Sequence, residues 1–248
     1  MRLKLIACEV LHRELCAVAA RSPHQVDIEF LPKGLHDLGA APMRVRLQEI
    51  ADAVDPTRYD AILFGYALCG NGLAGLVSRA IPLVIPRAHD CIALLMGSRA
   101  RYLKYFENNP GVYYRSTGWL ERGGNLEQAT LYAGMERAGA SFALDDLIAR
   151  YGEENGRYLF EQLHEYHRHY RQLTYIATGL EPDSRFEEQA RAEAAQRGWK
   201  FESITGGLGL FESLVAGGWD ENDFVVVPPG WRVKPTYDER VIDKEPLP

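Results

Sequence analysis

An α/β fold, with a Rossmann-like parallel sheet in two βαβ-rich halves and a helical insertion, is predicted by three features of this sequence. Short apolar runs alternate with segments of helical periodicity in residues 1–115, and the same alternation returns in 172–248. Runs that are apolar throughout, such as 60–64 and 81–85, are typical of parallel strands covered by helices on both faces. Between these halves, the range 116–171 is predicted to be a helical insertion. From residue 118 to its end it lacks strand signals and is rich in Ala, Glu, Arg, Leu and Tyr.

The N-terminal half, residues 1–115, contains the clearest alternation. Strands are predicted at 2–7, 26–31, 60–64, 81–85 and 112–115. The run 26–31 alternates apolar and polar residues, which predicts a position nearer the edge of the sheet. Helices are predicted at 9–20, 43–54, 72–79 and 92–106.

The C-terminal half, residues 172–248, is predicted to repeat the pattern with fewer elements. Strands are expected at 173–177, 199–204 and 224–227, and helices at 182–197 and 207–216. Pro182 lies near the start of its helix, a position that proline favours. The insertion before this half ends in a tyrosine-rich segment, 151–170, which is a candidate lid or a candidate contact in a homo-oligomer.

The composition argues against two classes of partner. The chain has 248 residues, of which 46% are hydrophobic, and a formal net charge of −6. Nucleic-acid-binding proteins usually carry a basic excess, so no nucleic-acid partner is expected. No apolar run approaches the ~18 residues that suggest a membrane span, so no membrane partner is expected. The sequence starts at once with a strand and without a signal-like stretch, which predicts a cytoplasmic location.

Three of the four cysteines lie just past strand-like runs: Cys8, Cys69 and Cys91. The carboxyl ends of parallel strands open on one edge of the sheet, where ligands bind, so three thiols could meet there. In a reducing compartment such cysteines are more often metal ligands, nucleophiles or core residues than disulfides. Thiolates are soft ligands that suit zinc or an iron–sulfur cluster, and these are the predicted cofactors. The sequence contains no C-x₂-C pair, so a zinc finger is not predicted.

Two other interpretations of these cysteines stay open. One thiol, Cys69 or Cys91, could be a nucleophile with His89 as its base. Alternatively, the cysteines could simply fill the core, since cysteine is among the most buried residue types. Cys16 lies eight residues beyond Cys8, or about 12 Å along a helix, and is predicted to be a core residue.

Residues beside the thiols are candidates for catalysis and for cofactor binding. His89 could be a fourth ligand or an acid–base group, and Asp90 could hold its imidazole in one tautomer. Glu9, next to Cys8, could supply a carboxylate at the same edge. Glycine permits close approach of the backbone to a cofactor, so the segment after Cys69 is a candidate cofactor-binding loop: Gly70, Asn71 and Gly72.

Anion binding is predicted at Arg87 and at a glycine-rich turn. A guanidinium matches the geometry of carboxylates and phosphates, and Arg87 lies two residues before His89. Gly206 and Gly207 precede a predicted helix, where backbone N–H groups can bind an anion, although a tight turn is the alternative. The segments 178–179 and 228–231 close two further strands and are expected at the same edge, which would make the site a cleft between the halves.

The sequence resembles the family catalogued as domain of unknown function 1638, found in bacteria and methanogenic archaea. The residues that carry the resemblance include the Cys-Gly-Asn-Gly segment at 69–72 and the Pro-Arg-x-His-Asp-Cys segment at 86–91. Shorter matches are Ala-Cys-Glu at 7–9, Gly-Trp at 118–119 and the run 226–230. Members of this family are associated with corrinoid-dependent methyl-transfer systems. The resemblance therefore implies a zinc-thiolate or corrinoid-handling role, with a corrinoid protein as a candidate partner.

Taken together, these features predict a metal-dependent enzyme, a transferase or lyase acting on a small anionic substrate. Bound zinc would act as a Lewis acid suited to methyl or other one-carbon transfer. Two alternatives remain. The chain could be an accessory protein that binds a metal or corrinoid without catalysis, or a metal-free thiol enzyme using Cys69 or Cys91 with His89.

Overall fold

The computed structural model of the chain describes residues 1–122, 144–164, 170–236 and 238–248. Its first sheet has five strands: β1 (Arg2–Cys8), β2 (Gln25–Leu31), β3 (Ala61–Gly65), β4 (Leu83–Pro86) and β8 (Phe224–Val227). They lie in the order β2-β1-β3-β4-β8. The first four are parallel, whereas β8 runs antiparallel to β4. The carboxyl ends of β1, β3 and β4 therefore share one edge, as the apolar runs predict.

A second sheet has three strands, all parallel: β5 (Val112–Ser116), β6 (Gln172–Ala177) and β7 (Lys200–Thr205). An antiparallel hairpin follows near the C-terminus, formed by β9 (Trp231–Pro235) and β10 (Ile242–Pro246). The chain is therefore a mixed α/β protein with two parallel sheets, and the finer Rossmann-like description remains a prediction.

Nine α-helices lie within the described residues, and they connect or flank these strands. They are α1 (His12–Ala19), α2 (Ala40–Asp52), α3 (Cys91–Leu95), α4 (Arg99–Asn108), α5 (Thr117–Glu121), α6 (Leu144–Tyr151), α7 (Glu153–His164), α8 (Arg185–Gln196) and α9 (Gly209–Ala216). Short 3₁₀ helices occupy Glu9–Leu11 and Lys33–Leu38. The tyrosine-rich segment 151–170, the predicted end of the insertion, lies partly outside the described residues.

The strands are not grouped as the predicted ranges 1–115 and 172–248 suggest. β5, placed in the N-terminal half, pairs with β6 in the second sheet. β8, placed in the C-terminal half, returns to the first sheet and pairs with β4. An apolar run predicts that a strand is buried, but it contains no information about which neighbour the strand will choose or in which direction it will run.

Two predicted helices are wrong in their details. Residues 72–79 form turns and an isolated bridge instead of a helix. The predicted helix at 92–106 is divided into α3 and α4 by Gly97, whose φ is 72°. A Cβ atom at Gly97 would lie 2.9 Å from backbone atoms of Gly207, so the break permits close contact between two backbone segments.

Backbone packing also joins the carboxyl edges of the two sheets. A Cβ atom at Gly118, in α5, would overlap the carbonyl oxygen of Val10, just beyond β1. A Cβ atom at Gly206, just beyond β7, would lie 2.6 Å from the carbonyl oxygen of Leu95 in α3. Side chains at these two positions would hold the sheets apart, so their glycines bring the strand ends of both sheets together.

Among the helices of the described residues, none combines the length with the apolar character that crossing a bilayer requires.

Candidate functional site

The three predicted metal-binding cysteines all lie at the carboxyl edge of the first sheet. Cys8 is the last residue of β1, and Cys91 is the first residue of α3, after β4. Cys69 lies in the loop after β3. Its backbone N–H donates to the carbonyl of His89 at 2.9 Å, so the loop after β3 is hydrogen-bonded to the loop after β4. The fold therefore brings residues 69 and 89–91 side by side, although twenty or so residues separate them in the sequence.

The three thiols lie within electrostatic reach of one another. Burial raises the pKa of Cys69 to about 12, and the nearby Cys8 and Asp90 also raise it. Burial raises the pKa of Cys91 well above its usual value, with further increases from Cys69, Asp90 and Cys8. Hydrogen bonding from the Trp119 side chain opposes this and favours the Cys91 thiolate. At neutral pH, without a nearby cation, Cys69 and Cys91 are therefore neutral thiols.

Proximity alone does not make a coordination sphere. Over the described ranges of the chain, no group of three or more His, Cys, Asp and Glu side chains is arranged to hold a metal ion. The cysteines thus lie near one another but are not yet converged on a common point. A metal bound by these three residues would require their thiols to turn toward it.

The loop that carries Cys69 has an unusual backbone. Cys69, Gly70 and Asn71 have φ values of 45°, 64° and 69°. The left-handed region is unfavourable for residues other than glycine, and asparagine tolerates it better than cysteine does. Residues held in sparsely populated conformations cluster at functional sites, where surrounding structure enforces them. Gly70 and Asn71 are exposed, whereas Gly72 is buried against Met43 with no room for a Cβ atom.

Tyr66 adds a buried hydroxyl to this site. Its side chain is 3% exposed, and no hydrogen-bond partner within the described residues reaches its Oη. Burial raises the pKa of Tyr66, and the neighbouring Cys8, Cys69 and Glu9 raise it further. The phenol therefore remains a protonated donor beside two of the thiols. A buried polar group without a protein partner is costly, and such groups are typical of sites that bind a ligand, water or ion.

Asp90 and His89 differ from their predicted roles. Asp90 caps α3: its Oδ1 accepts from the N–H groups of Ile92 at 3.0 Å and Ala93 at 3.1 Å. Its Oδ2 accepts from the hydroxyl of Tyr102 at 3.1 Å, so neither oxygen binds the imidazole. The predicted Asp90–His89 pairing is thus wrong. The side chain of His89 is exposed at the rim of the thiol cluster, where it can reach a substrate from the solvent side.

Glu9, which follows Cys8 in the sequence, is hydrogen-bonded to the backbone of a buried lysine. Its Oε1 accepts from the backbone N–H of Lys33 at 2.8 Å. The Lys33 side chain is 5% exposed, and its Nζ lies 4.8 Å from the centroid of the Trp119 ring. Trp119 in turn contacts Cys91. Trp119 therefore contacts both the side chain of Lys33 and Cys91.

Arg87 points away from the thiols. It is 8% exposed, and its Nε donates to the carbonyl oxygens of Glu221 at 2.8 Å and Phe224 at 3.2 Å. Its Nη1 donates to the carbonyl of Ile242 in β10. These partners belong to the loop before β8, to β8 itself and to the C-terminal hairpin, so Arg87 does not serve an anion held by the three cysteines.

The glycines at 206–207 are used for packing. The N–H of Gly206 donates to the carbonyl of Ala177 at 2.6 Å, and that of Gly207 donates to Leu95 at 2.9 Å. Because both donors are occupied by distant carbonyls, these N–H groups are not free for an anion, and residues 206–208 do not form the alternative tight turn either. Residues 228–231 also lie elsewhere: β8 is antiparallel to β4, so Val227 pairs with Leu83 at the opposite edge of the sheet.

Sequence reasoning missed Tyr66 and Lys33. Tyr66 directly follows the buried strand β3, so its position at the carboxyl end of that strand could have identified it as a candidate site residue. Lys33 has no comparable signal, because lysine after a strand is ordinarily a solvent-exposed residue.

Comparison with known families gives one match. The family model described as "Protein of unknown function (DUF1638)" matches residues 30–215. A search of curated proteins and a search of solved structures each found no significant match.

Proposed function

The chain belongs to the DUF1638 family, and we propose that it is a metal-dependent enzyme that binds zinc or an iron–sulfur cluster through Cys8, Cys69 and Cys91. The observation that carries this proposal is the meeting of three cysteines from separate strand ends within electrostatic reach of one another. Three protein ligands with one position left for substrate or water are typical of catalytic zinc, and thiolates are soft ligands that also suit iron–sulfur clusters.

The local chemistry fits such a group in two respects. The donors are soft, with Cys8 buried and Cys69 and Cys91 half-buried, and the unpartnered hydroxyl of Tyr66 lies beside Cys8 and Cys69. A thiolate formed there would be a strong acceptor for this phenol, whereas a neutral thiol is a weak one. Binding one metal requires the thiols to turn toward it and to lose their protons, which the raised pKa values of Cys69 and Cys91 oppose. Zinc binding to structural sites, by comparison, releases about 10–16 kcal/mol.

The surrounding residues suit a small anionic substrate. Bound zinc would supply Lewis-acid activation of a substrate heteroatom, as in one-carbon or methyl transfer. Lys33, held beneath Trp119, would attract an anionic group toward the thiols. His89, exposed at the rim, would exchange a proton with the substrate at its imidazole. Asp90 and Tyr102 would hold the start of α3, and therefore Cys91, in place.

Elemental analysis of anaerobically purified protein tests the proposal. We expect about one zinc ion, or the iron and sulfide of one cluster, per chain, and a brown colour in the second case. Cys8→Ser, Cys69→Ser and Cys91→Ser should each lose most of the metal. The matched control is Cys16→Ser, because Cys16 lies in α1 near His12, outside the cluster. Metal that persists in Cys69→Ser, or its absence from the wild-type protein, would eliminate the proposal.

The alternatives lead to different results. An accessory metal- or corrinoid-binding protein would hold the metal but give no product with any candidate substrate. A metal-free thiol enzyme would be labelled at one cysteine by iodoacetamide and lose activity with no metal present. The raised pKa values of Cys69 and Cys91 make this second alternative less favourable, since the thiolate is the reactive form.

A further inference from the structure

A cavity lies beside the carboxyl end of β4, and none of the cysteines lines it. Its volume is about 410 Å³, within the range of small-molecule pockets. Its lining includes four cationic side chains and two acidic ones: Arg87, Arg99, Arg240, Lys244, Glu221 and Asp243. The surplus of positive charge contrasts with the chain as a whole, whose net charge is −6.

Three of these cations are guanidinium groups that repel one another. Burial lowers the pKa of Arg87, and the charges of Arg240 and Arg99 lower it further, while Asp243 opposes them. Like charges gathered around a cavity raise the free energy of the empty protein. An anion between them would convert this repulsion into attraction.

The contacts of these side chains leave donors available. Arg87 is fixed by backbone carbonyls of β8 and β10, which are neutral acceptors, and its Nη2 lies 4.0 Å from Oδ1 of Asp243. Arg99 likewise donates to a carbonyl, that of Glu239. Lys244 Nζ donates to the carbonyl of Val226 at 2.7 Å. Arg240 pairs with Asp238 at 3.2 Å and with Asp243 at 2.8 Å. A guanidinium has five N–H donors, more than the contacts of Arg99 and Arg240 occupy.

We propose that this cavity binds a small molecule that bears a phosphate group, at a site separate from the three cysteines. A phosphate monoester carries about −1.5 to −2 charges at pH 7, which matches the surplus of two positive charges in the lining. The forked guanidinium binds phosphate through paired hydrogen bonds. Trp219 and Phe224 also line the cavity and provide an apolar wall for the organic part of the ligand.

Isothermal titration with phenyl phosphate tests this site, since the probe combines a dianion with an aromatic ring. Inorganic phosphate and benzoate at the same ionic strength serve as comparison ligands. The wild-type chain should bind phenyl phosphate at least about tenfold more tightly than benzoate, a monoanion with the same ring. It should also bind phenyl phosphate more tightly than inorganic phosphate, because the ring adds apolar contact.

The variant for this test is the double substitution Arg99→Gln with Arg240→Gln. It spares Arg87, whose removal would leave buried carbonyls without donors and endanger the fold. We expect the double variant to bind phenyl phosphate at least about tenfold more weakly. Arg101→Gln is the matched control, since Arg101 also lies in α4 but donates to the carbonyl of Thr205 outside the cavity. It should bind as the wild type does.

Three results would overturn the inference: no binding of phenyl phosphate by the wild type, equal affinity for benzoate, or unchanged affinity in the double variant. Metal content measured on the same samples separates this inference from the proposed function. A double variant that keeps its metal but loses phenyl phosphate supports two separate sites. Wild-type protein that binds metal but no phosphate refutes only the cavity.

Discussion

The carboxyl edges of the two parallel sheets differ in how their polar groups are used. At the edge of the first sheet, Tyr66 has a buried hydroxyl without a partner in the described residues, and Cys69 and Asn71 have left-handed backbones. At the edge of the second sheet, the N–H groups of Gly206 and Gly207 are both hydrogen-bonded. Ser116, at the end of β5, also has a buried hydroxyl without a partner in the described residues, so an unpaired hydroxyl is common to both edges. The left-handed backbone of Cys69 and Asn71 belongs to the first edge, while the glycines of the second edge pack the sheets together.

This difference shows where function is to be sought in a protein with two similar edges. Both edges carry glycine-rich loops after parallel strands, and either could bind a ligand on sequence grounds alone. Strain and unpaired polar groups persist only where the surrounding structure enforces them, and they concentrate at functional sites. The first edge combines the strained backbone of Cys69 and Asn71 with three cysteines, so we propose the site there.

The largest expected effect tests the packing of the second edge. Gly118→Ala places a methyl group against the carbonyl of Val10 and should destabilise the protein by about 3 kcal/mol. Urea unfolding measures the change. Gly218→Ala is the control, because nothing lies within 4 Å of a Cβ atom there, and it should change the stability by less than about 0.5 kcal/mol. Equal stability of the two variants would show that the edges are not in close contact.

A pair of tyrosines compares the two sheets directly. Tyr66→Phe removes a buried hydroxyl that lacks a partner and should stabilise the metal-free protein by about 1 kcal/mol. Tyr175 in β6 is also buried, but it shares a 2.6 Å hydrogen bond with Thr117. Tyr175→Phe should therefore destabilise the protein by about 1 kcal/mol. Thermal unfolding of chelator-treated protein checks the opposite signs, and destabilisation by Tyr66→Phe would contradict the account.

The smallest expected effect concerns Glu14 in α1, between the edges. Burial raises the pKa of its carboxyl, and the hydrogen bond that Oε1 accepts from Thr178 at 2.8 Å opposes this only in part. Its Oε2 has no partner in the described part of the chain. The folded state holds this proton more tightly than the unfolded state. The free energy of unfolding should therefore decrease as pH rises above the ordinary value of 4.5 toward the folded pKa. Glu14→Gln should remove that decrease.

Glu121 provides the control of opposite sign. Its hydrogen bond from Arg13 lowers the pKa of the carboxyl, so its stabilisation is present above its ordinary pKa and is lost as pH falls through the folded value. Urea unfolding of Glu14→Gln and Glu121→Gln from about pH 3 to pH 8 separates the two contributions. A Glu14→Gln profile that matches the wild type would show that this carboxyl ionises as freely as it does in the unfolded chain.

The sequence predicts local structure well because local structure depends on local patterns. β8 has the same bounds as its apolar run, and β1, β3 and β4 differ from theirs by a few residues at most. The convergence of residues 69 and 89–91 also follows from the parallel arrangement of β3 and β4. That arrangement is the part of the site that could be predicted.

The remaining features depend on contacts between distant segments. Arg87 faces away from the cysteines because β8 and the hairpin bind its guanidinium, and the hairpin was not predicted. Asp90 is occupied by capping the N-terminus of α3, and its second oxygen accepts from Tyr102 of α4. A sequence pattern predicts which face of a strand is buried, but not which backbone carbonyls will surround an arginine.

The most direct measurement is X-ray absorption spectroscopy at the zinc or iron edge of the purified protein, which counts the sulfur atoms bound to the metal. We expect three cysteine sulfurs at about 2.3 Å from zinc, or a cluster whose protein ligands decrease by one in Cys69→Ser. A metal bound mainly by nitrogen and oxygen, or a spectrum unchanged by Cys69→Ser, would contradict a common centre for Cys8, Cys69 and Cys91.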